Sequence, residues 1–173
     1  ILLSSSTAKS PSVGLGNIWI PMRSASSFTL VTPTFAVFTW VRQAFVAESF
    51  MDEVCVALKK DPVAFRLELF EKASKEPVGR IGYDPAKYKS VVDLVAKMSN
   101  WGKTHEGTYR GFATWFSFGS YAAQVVDIIM LNGKPKIVKV FCAVNCGRVI
   151  NLSGAENQVQ GAIVDGICHA MFP

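Results

Sequence analysis

Four neutral amides crowd one short stretch late in the chain: Asn151, Asn157, Gln158 and Gln160. A side-chain amide both donates and accepts hydrogen bonds but does not exchange protons at ordinary pH. Such a set suits holding a heterocycle or an oxo group rather than acid–base work. The stretch opens an amphipathic helical pattern, and a helix start offers backbone N–H groups to anions such as phosphate. The plainer reading is that the amides cap and solvate the helix. On residue chemistry alone that reading is the more economical.

Other reactive types are sparse. Cys142, Cys146, Cys168 and His169 are potential soft metal ligands. Cys142 and Cys146 stand four positions apart on or just past a strand, on one face but too distant to chelate a single ion. No metal site is expected from them. Cys55 falls on the apolar side of a helical pattern and reads as a core thiol. His105 sits in a polar connector and His169 on a helix cut by the chain end. There is no G-x-S-x-G elbow, no phosphate-binding Walker loop and no strand-linked G-x-G-x-x-G.

The totals limit the function further. The chain has 173 residues, enough for one domain with a real core. Half of them are hydrophobic and the mean hydropathy is +0.26. That suits either a core-rich globule or a piece of a larger protein whose open faces carry interior residues. The last residues, His169 to Pro173, interrupt an apolar helical pattern without a capping signal, so a fragment is expected. The net charge of +5 is dispersed, with only Lys59 and Lys60 adjacent, so no nucleic-acid footprint is expected. No apolar run reaches the ~20 residues of a membrane span.

The elements that must position the amides follow from periodicity and punctuation. Residues 1–27 read as loop, and Phe28 to Trp40 as extended structure interrupted by Pro33. From Gln43 to Lys60 the period becomes helical, with Phe45, Val46, Ser49, Phe50, Glu53, Val54, Ala57 and Leu58 predicted on one face. Glu48 and Asp52 fall away from it. Asp61-Pro62 and Asp84-Pro85 each announce a helix, Asp as N-cap and Pro where its missing N–H costs nothing. Val63, Leu67 and Phe70 should be buried in the first, and Tyr88, Val91, Val92, Leu94, Val95 and Met98 in the second. The second should fade near Asn100-Trp101-Gly102. Two strands follow, Gly111 to Phe118 and Tyr121 to Leu131, broken or bent at Gly119. Asn132-Gly133 predicts a type I′ hairpin turn into a strand over Lys136 to Val144. A last helix is predicted from a capping box, Ser153 with Glu156, with Val159, Ala162, Ile163, Gly166, Ile167 and Ala170 on its apolar face. Gly161 and Gly166 inside it imply that something approaches the helix backbone closely. The expected fold is α+β, an antiparallel hairpin sheet with packed helices: helices over 44–101, hairpin over 110–145, final helix over 153–171.

Several of these stretches resemble, in the same order, the cofactor-binding large subunit of the molybdenum hydroxylase superfamily, which includes xanthine dehydrogenase and aldehyde oxidoreductases. The resemblance is greatest to the isoquinoline 1-oxidoreductase type. The carrying residues are Phe45 to Glu53, Asp61 to Arg66, Trp101-Gly102, Ser117 to Tyr121, Cys142 to Asn151 and Gln158 to Gly161. The resemblance implies a partial molybdopterin-binding domain over 44–173, in an enzyme that hydroxylates an aldehyde or an N-heterocycle with oxygen from water. It places Gln158 beside the molybdenum centre or the pterin, Gly161 giving close approach and Asn151 at the same helix entrance. Its implied partners are the rest of the large subunit, an iron–sulfur electron-transfer subunit and the small-molecule substrate.

There are departures from the family pattern. Asn145 stands where an aspartate is usual and Leu152 where a proline is usual, and residues 1–43 match poorly. Arg23 and Arg42 lack the surroundings of the arginine that relatives carry near the metal. The general-base glutamate of the family's G-E-P motif has no counterpart, so no catalytic residue is expected here and the chain is not expected to turn over alone. A non-catalytic interaction or scaffold module is the alternative.

Overall fold

The computed structural model describes residues 2–6, 35–76, 79, 82–103 and 106–171. The elements run β1 (Leu2–Ser6), α1 (Phe35–Leu58), α2 (Pro62–Lys75), α3 (Pro85–Ser99), β2 (Thr108–Ser117), β3 (Ser120–Leu131), β4 (Lys134–Asn145) and α4 (Leu152–Met171). This is an α+β arrangement. Arg23, His105 and the extended segment expected over 28–34 lie outside the described residues.

Local chemistry explains the helix boundaries. Asp61 has extended backbone (ψ 131°), and its Oδ1 accepts the Ala64 N–H at 2.8 Å, with Pro62 in the first turn. Asp84 does the same for α3, accepting from Ala86 N–H at 2.9 Å. Asn100 ends α3 in the left-handed conformation (φ 50°), which lets the Trp101 N–H turn back to Ala96 O at 2.9 Å. Two expectations at the start of the chain need correcting. Phe35 to Trp40 is helical, because β-branched and aromatic residues carry only a weak preference and each residue added to an existing helix gains a hydrogen bond. Leu2–Ser6, expected as loop, pairs with β4 through Leu2↔Ala143 and Leu3↔Cys142.

The sheet is antiparallel throughout, in the order β1-β4-β3-β2. Asn132 and Gly133 both have positive φ (53° and 73°), as a type I′ turn requires. A break or a bend was expected at Gly119. Phe118 (φ 49°) and Gly119 (φ 75°) form a second tight turn of the same sense, joining β2 to β3. Tyr121, Ala123, Val125 and Asp127 point alternately to one face, where α3 lies.

The core sits between that face and the helices. Tyr88, Val91, Val92 and Val95 of α3 pack with Phe112, Tyr121, Ala123, Val125, Phe141 and Ala143, and α2 adds Val63 and Phe70. Val92, Val95 and Val125 are fully enclosed, each worth about 1.5–3 kcal/mol relative to exposure. Phe70 stacks on Tyr88 at 4.4 Å, and Tyr88 meets Tyr121 edge-on at 5.6 Å. The Tyr121 hydroxyl then accepts the Asp84 N–H at 2.8 Å, tying the α3 start to the sheet.

The buried side of α1 differs from the expected one. Phe45, Val46, Phe50 and Leu58 are exposed, Phe50 by 54%, and Cys55 is the buried side chain among the described residues of the helix. Glu48 and Asp52, expected to face away, instead lie on the inner side with Cys55. Their cation, Arg66, is buried on α2, so the ionic contacts set the rotation of α1 rather than its apolar stripe.

Candidate functional site

The helix entrance is built by the end of the sheet. Tyr121 is in register with Asn145, so the loop leaving β4 emerges beside the Phe118–Gly119 turn. Asn145 Oδ1 accepts the Gly147 N–H at 3.3 Å, and Gly147 takes φ 82°, which turns the chain toward α4. Phe118 and Ile150 project at this end, 86% and 96% exposed.

Asn151, rather than Ser153, caps α4. Its Oδ1 accepts the Gly154 N–H and the Ser153 hydroxyl, both at 3.0 Å, while its carbonyl accepts from Ala155 at 3.1 Å. The expected capping box from Ser153 to Glu156 is therefore corrected: the helix starts one residue earlier and Ser153 spends its hydroxyl on the true cap. A Cβ on Gly154 would meet Asn151 Nδ2 at 3.1 Å, so the glycine leaves room for the cap.

The seven-residue spacing from Asn151 to Gln158, then three to Gly161, puts all three on one side of α4. All three are exposed. Open space surrounds the position a Gly161 Cβ would take, with no described atom within 4 Å, and the same holds at Gly166. On the other side Val159, Ile163 and Ile167 are half-buried, whereas Ala162, Gly166 and Ala170, expected with them, are exposed. No residue of α4 is fully buried.

The soft-ligand candidates are separated. Cys142 is buried, while Cys146 and Cys168 are exposed. Burial pushes the Cys142 thiol up to about 11, against a weaker opposing hydrogen bond from Gln124. His169 lies 3.8 Å from Asp165 on the same helix. Among the described residues no three His, Cys, Asp or Glu side chains gather as a metal cluster would.

Two ionic assemblies escaped the sequence reading. Arg66 reaches Glu48 at 2.9 Å and Asp52 at 3.5 Å, and the Glu48 carboxylate also accepts the Thr114 N–H at 2.9 Å. Arg110 grips Asp127 through Nε at 2.6 Å and Nη2 at 2.8 Å. Its Nη1 donates to Ser99 O, Asn100 O and Lys103 O at 2.8, 3.2 and 3.1 Å. Trp101 Nε1 meanwhile donates to Asp61 Oδ2 at 2.7 Å. Glu48, Asp52, Asp61, Arg66 and Trp101 all belong to the stretches quoted above for the family resemblance. These residues are architectural ties between elements; the sequence signal that could have joined them was two acids and one arginine placed on adjoining helices.

A model of the molybdopterin cofactor-binding domain matches residues 42–172. A membrane-bound aldehyde dehydrogenase [pyrroloquinoline-quinone] of Gluconacetobacter polyoxogenes is 29% identical over 140 residues, covering 72% of this chain and 18% of the relative. The isoquinoline 1-oxidoreductase subunit beta of Brevundimonas diminuta is 27% identical over 134 residues, covering 74% and 16%. The nicotine 6-hydroxylase large subunit of Paenarthrobacter nicotinovorans is 24% identical over 146 residues, covering 76% and 18%. The chain thus spans less than a fifth of the length of these relatives. No solved structure matches it at a significant level. With the family model covering most of its length, the chain belongs to the molybdopterin cofactor-binding domain family.

Proposed function

We propose that the chain is part of the large subunit of a molybdenum-dependent oxidoreductase that hydroxylates an aldehyde or an N-heterocycle. In this reading it contributes molybdopterin contacts through Gln158, Gly161 and Asn151. The observation that carries it is the solvent-facing side of α4, where these three residues align in a chain of this family. The names of the relatives, an aldehyde dehydrogenase and two enzymes of N-heterocycles, support the two substrate classes.

The residues fit such a ligand. The Gln158 amide can meet the donor and acceptor edges of a pterin at once. Gly161 presents bare backbone in open space, so a flat ring can lie close. Asn151 has its Oδ1 committed to the cap, which leaves Nδ2 as its donor toward a ligand. The bound cofactor supplies the oxidation–reduction chemistry. The three side chains named here bind and orient without acid–base work, so the general base belongs to the rest of the large subunit. Electrons leave through an iron–sulfur partner.

The test is cofactor content of the full-length protein from a host that makes molybdopterin. Molybdenum by elemental analysis and pterin by fluorescence of its oxidised form should copurify with the wild type and fall severalfold in Gln158→Ala. Pyrroloquinoline-quinone in place of both, as one relative's name specifies, would refute the cofactor assignment. Undiminished pterin in Gln158→Ala would refute the role of that residue.

A further inference from the structure

Three elements meet at Arg66. Its guanidinium, on a residue 2% exposed, lies among Glu48, Asp52 and Cys55 of α1, donates to Pro62 O at 3.3 Å and sits 5.4 Å from the Phe112 ring centre. Thr114 of β2 adds its backbone N–H to Glu48. Two carboxylates therefore face one cation. Among the described residues, the other titratable groups that act on the cluster are Cys55 on α1, Asp61 before α2, and Tyr83 and Tyr88 near or on α3, and none of these is positive. Among the described residues, the cluster with both acids ionised therefore holds two negative charges against one positive. Asp52 Oδ1 is buried and accepts no hydrogen bond, its separation from Arg66 being too long for one.

Among the described side chains of α1, Phe45, Val46, Phe50, Val56 and Leu58 are exposed and Cys55 is buried, so the ionic cluster lies with Cys55 on its inner side. A surplus charge in that half-buried contact opposes docking, and a proton on either acid removes it while leaving Arg66 an ionised partner.

We propose that Glu48 and Asp52 together bind one proton on mild acidification, and that this proton tightens the seating of α1 against α2 and β2. The direction agrees with the electrostatics of both acids. Burial raises Glu48 above its ordinary 4.5 and Asp52 above its ordinary 3.8, in each case outweighing the opposing pull of Arg66. The charge of Asp52 adds a further, smaller upward push on Glu48. Between those ordinary values and the raised ones, the folded chain binds more protons than the unfolded chain. Stability from this cluster is therefore present at the acid end of the window and is lost as pH rises through it.

The test is thermal unfolding of the full chain and of Asp52→Asn, from about pH 7.5 down to about pH 4, so that the ordinary carboxylate range is reached. Asp52→Asn removes the surplus charge and keeps the shape. It should melt a few degrees above wild type at the upper pH, and the gap should close on acidification. A constant gap across the range, as a purely structural role gives, would overturn the proposal. Carbon-13 carboxyl titration of the wild type decides the matter even if the variant fails to fold. At least one of the pair should titrate above its ordinary value, and ordinary midpoints at both Glu48 and Asp52 would overturn it.

Discussion

Replacing Arg110 by alanine should be among the most damaging single changes in this domain. Arg110 and Asp127 are cross-strand partners on β2 and β3, with side chains only 9% and 11% exposed. Truncation leaves the Asp127 carboxylate without its cation and removes the donor to three carbonyls at the end of α3. Breaking a buried pair in this way costs about 3–5 kcal/mol. The Asn100 and Lys103 carbonyls are at exposed bonds and regain water, which favours the lower end, about 3 kcal/mol. At roughly 2–4 °C per kcal/mol for a chain of this size, the melting midpoint should fall by about 6–12 °C. Arg110→Lys should fall in between, since an ammonium keeps the charge but cannot span both carboxylate oxygens and the α3 carbonyls at once. The double replacement Arg110→Met with Asp127→Leu should recover much of the loss, because no charge is then stranded. Urea and thermal unfolding measure all three. A loss under about 1 kcal/mol in Arg110→Ala would refute the view that this pair anchors α3 to the hairpin.

Asp61 has two duties that substitution separates: Asp61→Asn keeps an oxygen for the Ala64 N–H but not a carboxylate for Trp101, whereas Asp61→Ala loses both. Alanine should cost about 1–2 kcal/mol in urea unfolding and asparagine clearly less. In the native chain Cys146 and Cys168 should react with a thiol reagent while Cys142 resists, read by mass spectrometry. Because the folded Cys142 thiol is raised from 9.0 to about 11, its unfolded form ionises first, so this group makes stability fall as pH climbs through that interval.

The legible parts of the fold were those decided by neighbours in sequence. Asp61-Pro62, Asp84-Pro85 and Asn132-Gly133 carry their instructions within a few residues, and the alternation of β3 names its buried face. The rotation of α1 was not legible, because Glu48 turns inward toward an arginine 18 positions on and a strand amide 66 positions on. The start of α4 was misplaced since Asn151 and Ser153 are both good caps, and only the observed hydrogen bonds choose between them. The interruption at Gly119 was legible, but its form as a tight Phe118–Gly119 turn was not, because phenylalanine rarely accepts positive φ. At the candidate site the helical spacing of Asn151, Gln158 and Gly161 could be read in advance. Their shared exposure could not, since it depends on what α4 leaves uncovered.

The Glu48–Thr114 hydrogen bond has a further consequence, for association between chains. β2 is a border of the sheet, and the amides along its outer side are a template on which a strand from another molecule could grow. At Thr114 that template is already occupied by a carboxylate held in place by Arg66. An incoming strand must displace a charge-assisted bond, worth about 1.5–3 kcal/mol, before it can pair across the middle of β2. The opposite border is β1, paired to β4 on its inner side. The same acid that fixes α1 therefore guards the β2 border against strand exchange, and a chain that lost it would be open to fibre-like growth along that border as well as to local unfolding.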